Sequence, residues 1–426
     1  MRKEACDVVV VGSGPAGLAA ASAAQASGAS TTIVERSREM GGVLLQCIHP
    51  GFGLKLYGEE LTGPEYAYRW LDQLDGVRCL TEAMVVQARR GTDDHPDEGF
   101  TLWVSGPAVG LVRIRARAVV LAMGCRERTR GAIAIPGTRP AGVMTAGTAQ
   151  RLVNIDGYLP GKRFAILGSG DIGMIMARRL TWEGAEVVGV YELMPYLSGL
   201  RRNYVQCLQD YDVPLYLGHT VTEIHGDRRL TGVTVCQVDE ALCPRPETGV
   251  LVPADTLLLS VGLIPENELT RMLGAELDPV TGGPLVDDGM QTTVPGLFAA
   301  GNVVQVHDLA DDVTMAGELA GREAARYVLE GPEPRSWSRV VAGRGVRSVV
   351  PQRLRLPVRS RPELAIRVRR PIEATCRVTV SANGETLIRK RLDYARPGEM
   401  IGVRLSPRAA RALRPEDDVL VEVSEG

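Results

Sequence analysis

Twice in 426 residues the chain runs from an apolar strand through a Gly-x-Gly-x-x-Gly turn into a helix, and then to a second strand that ends in glutamate. The first copy is Asp7 to Glu35: an apolar run Val8 to Val11, the turn Gly12-Ser13-Gly14-Pro15-Ala16-Gly17, an alanine-rich helix stopping at Gly28, and a strand Ser30 to Val34. The second is Lys162 to Glu192, with strand Phe164 to Leu167, turn Gly168-Ser169-Gly170-Asp171-Ile172-Gly173, a helix to about Glu183 and strand Val187 to Tyr191. In such a unit the first glycine permits the tight turn and the second lets backbone approach a pyrophosphate. The third lets helix and strand pack closely, and the acid accepts hydrogen bonds from a ribose. The phosphates sit where free amides point out of the helix N-terminus. Two complete copies call for two dinucleotides, in an α/β protein with two Rossmann-like domains.

A chain this long exceeds the size at which one core keeps growing, so several domains are expected. The apolar share of 45% is ordinary for a globular protein, and a net charge of −2 gives no global pull toward nucleic acid or membrane. Charge is nevertheless uneven. Residues 331–426 hold 20 basic and 11 acidic side chains, leaving 29 and 40 for the rest, so the tail is about +9 and the body about −11. Such asymmetry marks a docking surface or an arginine-rich solvated face.

The eight cysteines form no CxxC, no metal-ligand spacing and no disulfide framework, which suits a reducing compartment. No metal site is expected. The first strand starts close to Met1, leaving no room for a signal peptide ahead of it, and no apolar run approaches a membrane span. The expectation is a cytoplasmic protein.

Further along, Glu35 is followed by Arg36 and the paired glycines Gly41-Gly42, then by Cys47 and His49. The pattern predicts a helix over Pro64–Leu74 and strands over Val77–Gln87, Phe100–Val104, Leu111–Arg117 and Ala118–Gly124, with a surface loop at 95–99. A helix is expected over Tyr204–Tyr211, with strands at Thr231–Gln237 and Thr256–Ser260. Another strand meets a glycine at Gly301-Asn302, and Asp312–Leu329 reads as a helix with small residues on one side. Beyond residue 335 five strands are expected: Leu364–Arg369, Cys376–Val380, Thr386–Asp393, Met400–Leu405 and Val419–Val423. Asn383-Gly384 supplies a hairpin turn.

These marks, in this order, resemble the two-dinucleotide flavoproteins of the pyridine nucleotide–disulfide oxidoreductase superfamily. The resemblance covers residues 1 to about 330: a first fingerprint for FAD, a strand ending at Gly124, a second fingerprint for a nicotinamide nucleotide, Gly262 running into Pro265, and Thr292 to Asn302 near the end. It implies FAD held by Gly12, Gly14, Gly17, Glu35, Arg36, Gly42, Gly124, Gly301 and Asn302, and a nicotinamide nucleotide held by Gly168, Gly170, Gly173, Glu192 and Gly262. Asn302 stands where the superfamily has an aspartate that contacts the FAD ribitol and phosphate. The implied division is residues 1–140 and 263–334 as the two parts of an FAD-binding domain, 141–262 as the NAD(P)-binding domain, and 335–426 as a small β-rich domain. Glu192 favours NAD(H) over NADP(H), because a carboxylate accepts from a 2′-hydroxyl and repels a 2′-phosphate. Arg201 and Arg202 would soften that choice if they folded back toward the ribose.

Gly41 to His49 with Leu61 to Tyr66 is similar to a bacterial subgroup usually encoded beside a glycerol-3-phosphate-dehydrogenase-like flavoprotein, and Ile135 to Asn154 resembles subunits of opine, proline and cyanide-forming dehydrogenases. The chemistry implied is hydride transfer between a nicotinamide and a flavin. Neither the CxxxxC nor the CxxC of the disulfide reductases is present. Cys47 is either a redox thiol, its pKa lowered by His49, or a packing thiol beside a flavin-lining histidine. His307 is a second candidate, and the helix near Val313 is expected to aim its positive end at the flavin.

The leading expectation is therefore an FAD-dependent enzyme exchanging electrons between NAD(H) and a partner redox protein. The alternatives are the FAD subunit of an amine, imino acid or opine-type dehydrogenase, and a non-catalytic FAD-binding scaffold. The basic tail is expected to dock the partner. No nucleic-acid partner is expected, and a homo-oligomer fits the reading.

Overall fold

The computed structural model describes residues 1–91, 98–333, 336–358, 361–415 and 417–426. Of the loop expected at 95–99, residues 95–97 lie outside the described residues. The chain forms two compact units, residues 1–125 with 265–426, and residues 126–264. The changes expected at 140/141 and 262/263 thus fall at 125/126 and 264/265. On the N-terminal side the reason is local pairing: Thr138 N donates to Ile224 O at 3.1 Å, and Ala141 bridges Arg229, so this connection belongs to the second unit.

In the first unit the strand Arg2–Val11 lies between Thr31–Val34 and Gly110–Leu121, all parallel, in registers that pair Val8 with Thr31 and with Ala118. Leu297–Ala299 adds a further parallel strand against Val119–Leu121. Both faces of this layer are covered, which is why its strands read as unbroken apolar runs. Val8 and Val10 face the helices Pro15–Ala26, Gly63–Leu71 and Ala310–Glu330, whereas Val9 and Val11 face a second core with Phe100, Leu102 and Ile114.

Two strand boundaries differ from expectation. Val77–Gln87 divides into Arg78–Leu80 and Met84–Arg90, because Glu82 takes a left-handed conformation (φ 49°) between them. The two strands expected between Leu111 and Gly124 are one, Gly110–Leu121, whose first half pairs antiparallel with Phe100–Gly106. The long helix begins at Ala310, ahead of the residue expected. Its small residues meet the first fingerprint helix: a methyl added at Gly317 would fall 2.2 Å from Ala16 O, and one at Gly321 2.1 Å from Ala20 O.

The C-terminal segment is a sandwich of a five-stranded and a three-stranded sheet around Val346, Leu364, Ile366, Val378 and Val421. The five expected strands are present, and Ala382 pairs with Glu385 across Asn383-Gly384. Ser336–Ala342, Val346–Val350 and Arg353–Leu356 are additional. This sandwich is anchored to the rest of its unit. Arg355 Nε donates to Asp288 Oδ1 at 3.0 Å and its Nη1 pairs with Glu323, while the Val286 amide donates to Gln352 Oε1 at 3.1 Å. With side-chain exposures of 12% for Arg355 and 1% for Asp288, part of the tail's positive charge is answered inside the same chain.

The second unit has a five-stranded parallel sheet in the order Val143–Thr145, Thr256–Leu259, Arg163–Leu167, Glu186–Glu192, Leu215–Leu217, with a three-stranded antiparallel sheet beside it. The helix expected over Tyr204–Tyr211 is Arg201–Cys207, followed by a tight 3₁₀ turn.

Candidate functional site

Each fingerprint folds into strand, turn and helix, and each glutamate closes on the serine inside its own turn. Glu35 Oε2 accepts from Ser13 N and Ser13 Oγ, both at 2.8 Å, and Oε1 accepts from Ser37 N at 2.7 Å. Glu192 Oε2 accepts from Ser169 N at 2.8 Å, Ser169 Oγ at 2.6 Å and Ser198 Oγ at 2.9 Å, and Oε1 from Met194 N at 2.9 Å. Both carboxylates are buried, at 5% and 4% exposure, so these donors are what keep them in place. Glu35 has three donors for about four acceptor positions, and on Glu192 it is Oε1, with the Met194 amide donating to it, that keeps room for a ribose hydroxyl. The serines were not singled out in the sequence. The signal was there, for Gly-Ser-Gly occurs in both turns with a glutamate 22 or 23 residues on.

At the first turn, Gly12 has φ 98° and a methyl there would lie 2.6 Å from Ala122 O, so only glycine fits. A methyl on Gly17 would fall 1.9 Å from Gly12 O, whereas nothing lies within 4 Å of one on Gly14. Gly14 is the N-cap of the helix Pro15–Ala26, which has no side-chain cap and no acid in its first turn. An uncapped helix end beside open space suits an anion, and the residues present fit the pyrophosphate of FAD. Gly42 comes close not to open space but to this turn: its added methyl would lie 2.9 Å from Gly14 Cα, and Gly41 N donates to Ser13 O at 3.0 Å. Arg36 is exposed beyond Glu35, and Gly124 follows the strand that ends at Leu121.

The second turn is more enclosed. Ser260 Oγ accepts from Gly173 N at 3.1 Å, and a methyl on Gly168 would lie 2.2 Å from Ser260 O. Asp171 Oδ1 accepts from Leu200 N at 2.8 Å and Asn203 Nδ2 at 2.7 Å, which fixes the start of the helix carrying Arg201 and Arg202, both exposed. Gly262 O accepts from Arg128 N at 3.0 Å.

Cys47 follows a 3₁₀ turn, Gly42–Gln46, and lies against the start of the helix Gly63–Leu71: its carbonyl accepts from Gly63 N at 2.8 Å. His49 Nδ1 donates to Pro50 O at 3.0 Å, and its ring centroid is 5.3 Å from that of Phe52. This segment is tied to the long helix, where Asp311 accepts from Gly53 N at 3.1 Å and from Lys55 N at 3.0 Å, and Lys55 Nζ pairs with Asp312 at 2.8 Å. The first turn of that helix thus carries two carboxylates of its own, which offset the positive end expected to face a flavin.

Gly301 packs beside the first fingerprint helix, a methyl on it reaching 3.0 Å from Ala16 Cβ, so Asn302 opens onto the same end of the sheet as Gly14. Asn302 Oδ1 accepts from His307 N at 3.0 Å and lies 3.3 Å from His307 Nδ1, and its Nδ2 points to Cys125 Sγ at 3.7 Å. For that contact to be a hydrogen bond the His307 proton sits on Nδ1, because an amide oxygen only accepts. Burial, against the opposing pull of Asp312 and Asp308 and with a smaller push from Arg367, lowers the His307 pKa to about 4. The ring is neutral at pH 7.

Two dinucleotide-type turns on one chain define a two-nucleotide oxidoreductase architecture. The family model for pyridine nucleotide-disulphide oxidoreductases matches residues 6–320, and the chain belongs to that family. It is an FAD- and NAD(P)-dependent oxidoreductase. Among curated relatives, hydrogen cyanide synthase subunit HcnB of Pseudomonas aeruginosa is 29% identical over 74% of this chain and 68% of its own length. An opine oxidase subunit of Agrobacterium tumefaciens is 26% identical over 76% of this chain and 65% of its own length. The chain thus spans about two thirds of each. Among solved structures, thioredoxin reductase of T. acidophilum aligns with a TM-score of 0.61 at 25% identity, over 76% of this chain and 98% of that one.

Proposed function

We propose that this chain is the FAD- and NAD(H)-binding component of a cytoplasmic enzyme that passes electrons between NAD(H) and a partner redox protein. The observation that carries the reading is the pair of turns, each with its glutamate clamped to the turn's own serine. In the first unit the amides at the start of Pro15–Ala26 would take the FAD pyrophosphate, Glu35 a ribose hydroxyl, and the Asn302 amide the segment beyond the phosphates. In the second, Glu192 would take the ribose hydroxyls of NAD(H) and its charge would disfavour a 2′-phosphate. The chemistry that FAD supplies when bound is hydride exchange with the nicotinamide. The protein's part is to bind, orient and shield. Cys47, whose backbone is held by Gly63, and His49 beside Phe52 are the candidate residues at the flavin, the Cys47 thiol as a redox group or as packing.

Anaerobic titration of the FAD-loaded protein with NADH tests this directly. Bleaching of the flavin absorbance by NADH at a rate well above that with NADPH is the expected result, and a flavin inert to both nucleotides overturns it. A second reading, the FAD subunit of an amine, imino acid or opine-type dehydrogenase, draws support from the cyanide synthase and opine oxidase relatives named above. Bleaching by such a metabolite without NADH would favour it.

A further inference from the structure

The turn from Gly301 to Leu309 joins Asn302, beside the first fingerprint helix, to the first residue of the helix Ala310–Glu330. Its middle is held from outside the dinucleotide fold, by the C-terminal sandwich. Arg367, on the strand Glu363–Val368, donates through Nη2 to Val306 O at 3.0 Å and to the Asp308 carboxylate. Its Nη1 donates to Pro397 O at 3.1 Å, within the sandwich. The second oxygen of Asp308 accepts from Met400 N at 2.6 Å, again from the sandwich. Arg367 and Asp308 are both largely buried, with side-chain exposures of 16% and 13%.

We infer that Arg367 is a positioning residue of the FAD site, acting from the C-terminal sandwich through Val306 and Asp308 on the amide of Asn302. The inference rests on the placement of FAD proposed above. The relay is geometric. Arg367 grips the residues immediately before and after His307, and His307 in turn meets Asn302 Oδ1 through both its backbone amide and Nδ1. With the amide oxygen held on that side, Nδ2 is turned away from the turn, toward Cys125. Asn302 therefore presents a donor where an aspartate would present an acceptor. A donor suits a phosphate oxygen. A guanidinium fixed by three acceptors defines the turn's position more tightly than a lysine ammonium, because its donors lie in one plane.

The test uses the full chain, with Arg367→Met, Arg367→Lys and, as a surface control, Arg389→Met, whose side chain is exposed on the far hairpin. The readouts are the FAD dissociation constant of the apoprotein and the visible circular dichroism of the bound flavin, which reports the asymmetry of its surroundings. Arg367→Met is expected to raise the dissociation constant at least tenfold and to change the visible dichroism, Arg367→Lys to recover part of both, and Arg389→Met to match wild type. A dissociation constant within twofold of wild type with superimposable dichroism overturns the inference. Should Arg367→Met fail to fold, Asp308→Asn is read by the same two measurements. It can still accept from Met400 N but loses its charge partner, and unchanged values there overturn the inference equally. Failure of the wild-type protein to bind FAD would instead defeat the proposed function.

Discussion

Replacing Gly14 by valine separates the needs of the fold from those of the cofactor. At Gly14 the backbone is extended (φ −69°, ψ −173°), which any residue adopts, and nothing lies within 4 Å of an added methyl. The apoprotein should therefore fold as before. A change of this kind is worth within about 0.5 kcal/mol, or less than about 1 °C in melting temperature for a chain of this size. The branched side chain would occupy the space into which the helix amides point. Losing two charge-assisted hydrogen bonds to phosphate, at about 1.5–3 kcal/mol each, costs about 3–6 kcal/mol, or roughly 10²–10⁴-fold in affinity. The assay is FAD binding to the apoprotein by calorimetry or fluorescence quenching, with thermal melts alongside. Gly17→Ala is the contrast, since its methyl would lie 1.9 Å from Gly12 O and the apoprotein itself should melt early. A Gly14→Val protein that melts like wild type and binds FAD within threefold of it would refute the placement of the pyrophosphate.

Arg355→Met should cost about 3–5 kcal/mol in denaturant unfolding, because it leaves the 1%-exposed Asp288 without its cation, whereas Arg339→Met at an exposed pair should leave the midpoint unchanged; equal effects would count against the anchoring of the sandwich. Glu192→Gln keeps the size of the side chain that meets Ser169 and Ser198 but removes its charge, and should narrow the NADH over NADPH preference in kcat/KM for flavin reduction by about tenfold, or 1.4 kcal/mol; an unchanged ratio would be the contrary result. For pH, His307 has a folded pKa lowered to about 4, so the unfolded chain takes its proton first and the stability present above pH 6.5 is lost as pH falls toward 4. Asp287, raised to about 6 by burial, acts oppositely: its cost is present above pH 6 and is relieved as pH falls toward 4. Urea unfolding of His307→Gln between pH 6.5 and 4 should therefore fall less steeply than wild type, by up to one proton or about 1.4 kcal/mol per pH unit, and parallel curves would contradict it.

The dinucleotide folds were legible because their constraints are local: a turn that needs Gly12, a strand buried on both faces, and an acid at fixed distance all lie within thirty residues. The helix over Ala310–Glu330 showed itself through small residues whose spacing meets Ala16 and Ala20. What escaped is long-range. Ser336–Ala342 and Arg353–Leu356 hide their alternation under serine and arginine, and Arg353–Leu356 turns Arg355 toward the acids of a segment about 67 residues earlier. The tail's excess of positive charge suggested an external partner. Local composition contains nothing to reveal that Arg355 and Arg367 meet Asp288, Glu323 and Asp308 of the same chain. The contact of Asn302 with His307 was within reach at five residues' separation, but the grip of Arg367 on that turn was not.

The crossing of the first fingerprint helix with the long helix is made of backbone against backbone, Ala16 and Ala20 facing Gly317 and Gly321. At these two positions there is no rotamer to change, so the separation there is a fixed gauge rather than an adjustable contact. One helix offers its uncapped end beside Gly14, and the other begins where the Asn302 turn finishes. The gauge thus sets the span between these two walls, and a single methyl at Gly317 would act as a shim, pressing on Ala16 two residues past Gly14.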